Sequence, residues 1–342
     1  MINRLPLTTL LPLCLALMIA AVTLSITSGA MALPASQSLL AIWDSLWRTE
    51  YSNLAQYQQL VVLDLRLPRT LLALSVGAIL AQCGAVMQGL FRNPLADPGI
   101  IGASSGAALG AACAIILLPV AMQGVSTPVA AFLGALLTTM LVFKLAQGES
   151  GTSVVMLLLA GVAVAAFGGA MMGFLNYIAD DQSLRDITLW SMGSVAHVGD
   201  GMLLLCFVTM VLTALYFQRH AQALNAMLLG EYEARHLGVN VERMKIKLIV
   251  VTTIGIGITV AAAGIIGFIG LVIPHLVRML TGPDHRTLLP LSAILGALLL
   301  LFADVGARLI MMPAELPVGL ITAVIGAPLF TVLLIQQRKN FT

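Results

Sequence analysis

Charge is what this chain has least of. Lysine plus arginine number 17 and aspartate plus glutamate 15, so charged residues are 9% of the 342, against about 25% in a soluble domain. Cysteine is also sparse. Cys14, Cys83, Cys113 and Cys206 all lie in apolar segments and none forms a CxxC pair, which argues against a disulfide framework or a thiolate metal site and reads them as small packing residues. There is no Walker A sequence, no long soluble tail and no low-complexity linker. Work derived from ATP must therefore be supplied by a separate protein. The apolar segments lack the polar alternation of barrel strands, which excludes a transmembrane β-barrel. No group of His, Asp and Glu is arranged for metal or acid–base chemistry, so a membrane-bound enzyme has no support. Nearly all carboxylates fall between the apolar segments, whereas an ion-coupled carrier needs ionisable residues within them; only Asp304 lies deep.

What the chain has is hydrophobicity, 59% of residues with a mean hydropathy of +1.01. A helix needs about 20 apolar residues to cross the hydrocarbon core. Ten segments are predicted to do so: 7–26, 67–90, 101–120, 129–146, 154–177, 202–217, 246–265, 268–280, 288–307 and 317–336. The shortest, 268–280, contains Pro274, and the defensible range is nine to eleven spans. The first segment has a second reading. Arg4 precedes it and Ala30-Met31-Ala32 resembles a cleavage site, but the apolar stretch is longer than the roughly 7–15 residues of a signal core.

With an inside N-terminus and ten spans, one side collects 12 basic and 6 acidic residues (+6) and the other 5 and 9 (−4), summing to the net +2. The positive side is the cytoplasmic one, which puts both termini inside. The region 27–64 then lies outside, and its Trp43, Trp47 and Tyr51 serve as interface anchors or as a partner contact. Within 218–247, the longest inner connection, Gly230 and Gly238 separate short helices. Leu228, Ala234 and Leu237 are placed on one face of those helices, and Glu231, Glu233, Arg235 and Glu242 toward water. A helix pair beneath a membrane domain suits docking to another protein, and a solvated connector is the simpler alternative.

Small residues recur through the spans, as in Gly102-x-x-x-Gly106, Gly106-x-x-x-Gly110 and Gly169-x-x-x-Gly173, allowing close packing or sliding. The run AAGIIGFIGLVIPHLVR at 262–278 spaces Gly264, Gly267 and Gly270 ahead of Pro274. It predicts a broken span whose free backbone groups must be sealed by protein or a wet cavity.

Three stretches carry a resemblance: LRLPRTLLALSVGAILAQCGAVMQGLFRNPLADPGIIGASSGA at 65–107, LLGEYEARHLGVNVER at 228–243, and 263–330, which contains FADVGARLI. In them the chain resembles the FecCD/BtuC-type permeases, the membrane subunits of bacterial ABC importers for vitamin B12, haem and iron–siderophore chelates. Within that group it looks most like the haem (hemin) permeases. The resemblance implies an all-α polytopic membrane protein of about ten transmembrane helices with the BtuC-like type II importer fold. It implies one permease domain over 1–342, with 218–247 as a cytoplasmic coupling segment inside it. It further implies a transport subunit with no catalysis of its own, in the bacterial inner membrane with both termini cytoplasmic. The partners implied are a second copy of the chain, two ATPase subunits, a periplasmic binding protein and membrane lipid, with no nucleic acid. No cofactor or metal is held permanently; haem is the expected substrate, with ferric siderophore or cobalamin as the alternative.

Roles follow on matching positions. Arg66, Arg69 and Arg308 are expected to receive acidic side chains of the binding protein; the plainer role for Arg66 and Arg69 is to anchor a helix at the headgroups, and for Arg308 to pair with Asp304 or Glu315 within the chain. Asn93 and Leu95 are expected at a cytoplasmic gate, with loop structure as the plainer role for Asn93. Gly161, Gly168, Gly169, Met172, Gly173 and Asn176 are expected to line the pathway. Leu229, Gly230, Glu231, Arg235, His236 and Gly238 are expected at the ATPase contact. Of the five histidines, His220, His236, His275 and His285 fall toward the inner ends of the segments and His197 does not. Met171 and Met172 suit a flat apolar ligand, though methionine fills any core.

Overall fold

The computed structural model describes residues 7–94, 96–97, 99, 102–148, 151–196 and 198–338. It is helical apart from one small hairpin, Gln147–Gly148 with Gly151–Thr152. The chain begins with α1 (Leu7–Thr27), α2 (Ala35–Trp47) and α3 (Gln56–Leu60). A π-helical turn, Val61–Arg66, joins α3 to α4 (Leu67–Phe91) without a break. Pro68 explains the wide turn. It has no N–H to give and its ring collides with the carbonyl four residues back in an α-helix, whereas an i→i+5 turn relieves the crowding; Leu67 N–H bonds to Val62 O.

Helices α5 (Ala103–Leu117) and α6 (Val120–Ala146) follow, then the hairpin, α7 (Val154–Ile178), α8 (Asp181–Ser191) and α9 (Asp200–Arg219). Two short helices, α10 (Ala221–Leu229) and α11 (Glu231–His236), precede α12 (Val241–Ala263), α13 (Ile269–Thr281), α14 (His285–Leu309) and α15 (Val318–Arg338).

Among the described residues six helices are long and apolar enough to cross a membrane: the continuous run 56–91, α6, α7, α9, α12 and α14. Of the other four predicted spans, two fall on the short helices α5 and α13, of 15 and 13 residues, and two on α1 and α15, 21 residues each, whose apolar stretches among the described residues are Pro12–Thr27 and Val318–Val332. The expected ten full-length spans are thus corrected to six among the described residues. For α5 and α13 the cause is local. Gly102 stands at φ +85° before α5, and Leu118 ahead of Pro119 is extended, as a residue before proline prefers. Ahead of α13, Gly264 and Phe268 both sit at φ +68°, so 264–267 cannot continue α12 as a helix.

The core is organised around α4, whose residues from Leu72 onward are almost all buried. Backbones approach there at glycine. A Cβ on Gly77 would lie 2.4 Å from Gly296 O on α14, and one on Gly84 would lie 1.9 Å from Gly270 O on α13. On α5 and α6, Gly106 and Gly134 face each other's carbonyls at 2.3 and 2.1 Å, and Gly110 faces Ala130 O at 2.1 Å. Close packing is therefore the role of Gly106 and Gly110, since without a hydrophobic drive between helices in lipid, contact area must come from such approach. Helix α1 belongs to this body. Cys14, Ala21 and Ser25 are buried, and Ser25 Oγ lies 2.7 Å from Thr70 Oγ1 of α4, which supports the span reading of the first segment.

Candidate functional site

The two ends of α4 carry different chemistry. At its start Arg66, Arg69 and Arg308 come together and line one cavity of about 330 Å³ with Gly29, Met31 and Glu315. They are not free positive points, being only 6%, 9% and 5% exposed. Asp304, fully buried, is shared: Arg69 Nη2 lies 2.7 Å from its Oδ1 and Arg308 Nη2 2.9 Å from its Oδ2. Glu315, the other partner open to Arg308 in the sequence, instead takes Arg69, with Nη1 at 2.7 Å from its Oε2. Arg308 also donates to Ser25 Oγ at 2.8 Å and to the Ser25 carbonyl at 3.0 Å. Arg66 donates to the carbonyls of Ile26, Thr27 and Met31. These bonds satisfy carbonyls at and just beyond the C-terminal end of α1, where cations are also favoured by the helix dipole. Three arginines against two carboxylates leave the cluster with one positive charge.

The other end of α4 meets the coupling segment. Gly230, at φ +123°, separates α10 from α11, and a Cβ on it would stand 3.7 Å from Arg92 Nη1. Helix α11 has Glu231 and Glu233 in its first turn and Arg235 and His236 in its last, the order the helix dipole favours. Gly238 (φ +84°) ends it: Gly238 N bonds to Arg235 O and Val239 N to Ala234 O, the paired bonds of a Schellman cap.

Of the residues expected on one covered face, Ala234 is buried, while Leu228 is 38% and Leu237 64% exposed. Leu229 is 67% exposed, and Arg235, His236 and Gly238 are exposed as well. Tyr232, overlooked in the sequence because it sits between two glutamates, is 72% exposed with its ring 4.4 Å from that of His236. Glu231 turns inward to Lys245 Nζ at 2.7 Å, so it acts within the chain.

Helix α10 is held by Asn225, which donates to Asp284 Oδ1 at 2.6 Å and accepts from His285 N at 2.8 Å. The Arg286 backbone N–H and the Asn225 amide keep the Asp284 carboxyl below the usual carboxylate range.

The pathway residues on α7 divide between two faces. Gly161 and Gly168 are buried, and a Cβ on Gly168 would meet Ser105 of α5 at 3.3 Å. Gly169 and Gly173 are open, with nothing within 4 Å of a Cβ. Met172 and Asn176 are half-buried; Met172 packs beside Ala112, Ile115 and Ile187, and the buried Asn176 Oδ1 has no partner. Asn93 lies just past α4, with its N–H on Gln88 O and its carbonyl accepting from Ala96 N; Leu95 and His197 lie outside the described residues. Among the described residues no three His, Cys, Asp or Glu side chains could share a metal ion.

The family profile described as the FecCD transport family matches residues 15–336. The chain belongs to this family. Like other FecCD-family permeases it is a transport subunit and not an enzyme. It is 47% identical over 299 residues to the hemin transport system permease protein HmuU of Yersinia pestis, covering 86% of this chain and 88% of that one. It is 40% identical over 295 residues to the vitamin B12 import system permease protein BtuC of Vibrio cholerae, covering 86% and 88%. A solved structure described as an inward-facing metal-chelate type ABC transporter superposes with a TM-score of 0.83 at 35% identity, over 96% of this chain and 99% of that one. The fold is thus that of a type II ABC importer permease, and the FecCD-family chain is an all-α, multi-pass membrane protein.

Proposed function

We propose that this chain moves haem from periplasm to cytoplasm through the bacterial inner membrane, as one of two identical permease subunits driven by two ATPase subunits and supplied by a periplasmic binding protein. The observation that carries this reading is the separation of chemistry along α4: an arginine-lined cavity at one end, exposed coupling helices at the other, and no catalytic cluster between them among the described residues. The +6 and −4 charge distribution supports this orientation, with the arginines outside and both termini in the cytoplasm. Helices α1 and α15 and the short helices α5 and α13 complete ten crossings, α5 and α13 sheltered by their longer neighbours. Gly169 and Gly173 on the open face of α7 leave room for a bulky substrate between two copies. The lack of a histidine cluster among the described residues suits haem transit, because conduction requires binding weak enough to release. Haem is favoured by the 47% identity to the hemin permease; cobalamin is the second reading, favoured by the 40–43% identity to several vitamin B12 permeases.

Reconstitution with the ATPase and binding protein tests the assignment. Haem-loaded binding protein is expected to stimulate ATP hydrolysis more than cobalamin- or siderophore-loaded protein. Equal or absent stimulation by haem overturns the choice of substrate.

Docking of the binding protein is assigned to the arginine cavity, where Glu315, its side chain 47% exposed, already occupies Arg69. An incoming carboxylate must compete with it. Glu315→Gln is expected to tighten docking by about fivefold, the scale of one partly exposed charged contact. Surface plasmon resonance on the reconstituted permease reads this; unchanged or weaker docking removes Arg69 from the assigned contact.

A further inference from the structure

We infer that Lys245 is the joint through which the coupling segment moves the pathway helix α7, a positioning role that rests on the importer reading above. Lys245 sits in the first turns of α12 and is only 2% exposed. Its ammonium has three donors, and three oxygens surround it: Glu231 Oε1 of α11 at 2.7 Å, the Thr152 carbonyl at 3.3 Å, and Glu242 Oε1 of α12 at 3.4 Å. Glu242 Oε2 in turn accepts from Thr152 N at 3.3 Å and from Thr152 Oγ1 at 3.2 Å. Thr152 ends the hairpin one residue before Ser153, whose Oγ caps α7 by accepting from Met156 N. Four side chains thus join three elements at a single point.

The geometry makes this point a transmitter. Among the described residues Ala234 is the only buried residue of α11, so the Glu231–Lys245 pair is its chief polar tie to the membrane helices. The opposite side of α11 presents Tyr232 and His236 to whatever docks there. A buried ammonium stripped of a partner carries a heavy desolvation penalty. A shift of α11 therefore draws Lys245 with Glu231, and Thr152 and α7 follow.

Helix α10 is attached elsewhere, through Asn225 to the start of α14. Gly230 lies between the two attachments, so the two short helices pull on different parts of the bundle.

The test uses the complete permease–ATPase complex in nanodiscs, with Lys245→Met, which keeps the length of the stem, and Lys245→Arg, which keeps the charge. In K245M the ATPase is expected to co-purify and to hydrolyse ATP at its basal rate. Stimulation by loaded binding protein is expected to fall at least about tenfold, within the range of coupling free energies. K245R is expected to retain most of it.

Spin labels replacing Glu233 on α11 and Val155 on α7 supply a second readout. Their separation should stay constant between nucleotide states in the parent and change with nucleotide in K245M. If K245M does not assemble, Glu231→Gln on the half-exposed partner carries the same expectation. Stimulation and label separation like the parent's in an assembled variant overturn the role of Lys245. Absence of stimulation in the parent complex would instead count against the importer reading.

Discussion

Replacing Asp304 with asparagine is expected to destabilise the bundle by about 3–5 kcal/mol, the loss seen when one partner of a buried ion pair is removed. Asp304 is fully buried and holds both Arg69 and Arg308. Without its charge two guanidinium groups face each other in the bundle, and the remaining carboxylate, Glu315, is half in solvent. The measurement is thermal unfolding of the detergent-solubilised permease. A companion in which Asp304, Arg69 and Arg308 all become apolar residues of similar volume is expected to recover most of the stability, because well-packed hydrophobic replacements of buried ion pairs are often neutral or stabilising. The same companion should not bind the periplasmic protein, which separates the structural role of the cluster from its proposed receiving role. An unchanged Tm for D304N would refute the account of the cluster as a buried network.

Placing a side chain at Gly84 is the second large effect. A Cβ there would stand 1.9 Å from Gly270 O and 2.5 Å from Gly270 Cα, and both are backbone atoms that cannot rotate away. Even Gly84→Ala is expected to cost at least the 1–3 kcal/mol, roughly, of ordinary overpacking, and Gly84→Leu to abolish the folded permease. Gly169→Ala, with open space around it, serves as the control and should leave the folded yield unchanged. Size-exclusion yield and Tm of the two alanine variants decide the matter. Equal values would show that α4 and α13 do not pack as described.

The long helices are legible in the sequence because a run of some 20 apolar side chains marks a span by itself, whatever packs beside it. What escapes depends on tertiary geometry. Nothing in the letters marks Phe268 as a residue at positive φ, yet that conformation helps to set where α13 begins. Spacing of four residues makes Asp304 a visible partner for Arg308, whereas Arg69 and Glu315 are 246 positions apart and carry no mutual signal. Lys245 stands in the run Glu242-Arg243-Met244-Lys245-Ile246-Lys247, which reads as a solvated helix start; only the fold shows that one of its cations points inward. The glycines of α7 are legible as a set, but their division between a packed face and an open one follows from where α5 lies.

The shortness of α13 reaches back to the making of the protein. At 13 residues and 1.5 Å per residue it is about 20 Å long, well short of a hydrocarbon core of about 30 Å. Such a segment has little claim of its own on the membrane as it leaves the translocation machinery. It must be retained by α12, already inserted ahead of it, or wait for α14 behind it. On the ten crossings proposed above, weakening α12 would surface first as chains threaded with the wrong number of passes, before any loss of stability in correctly inserted ones.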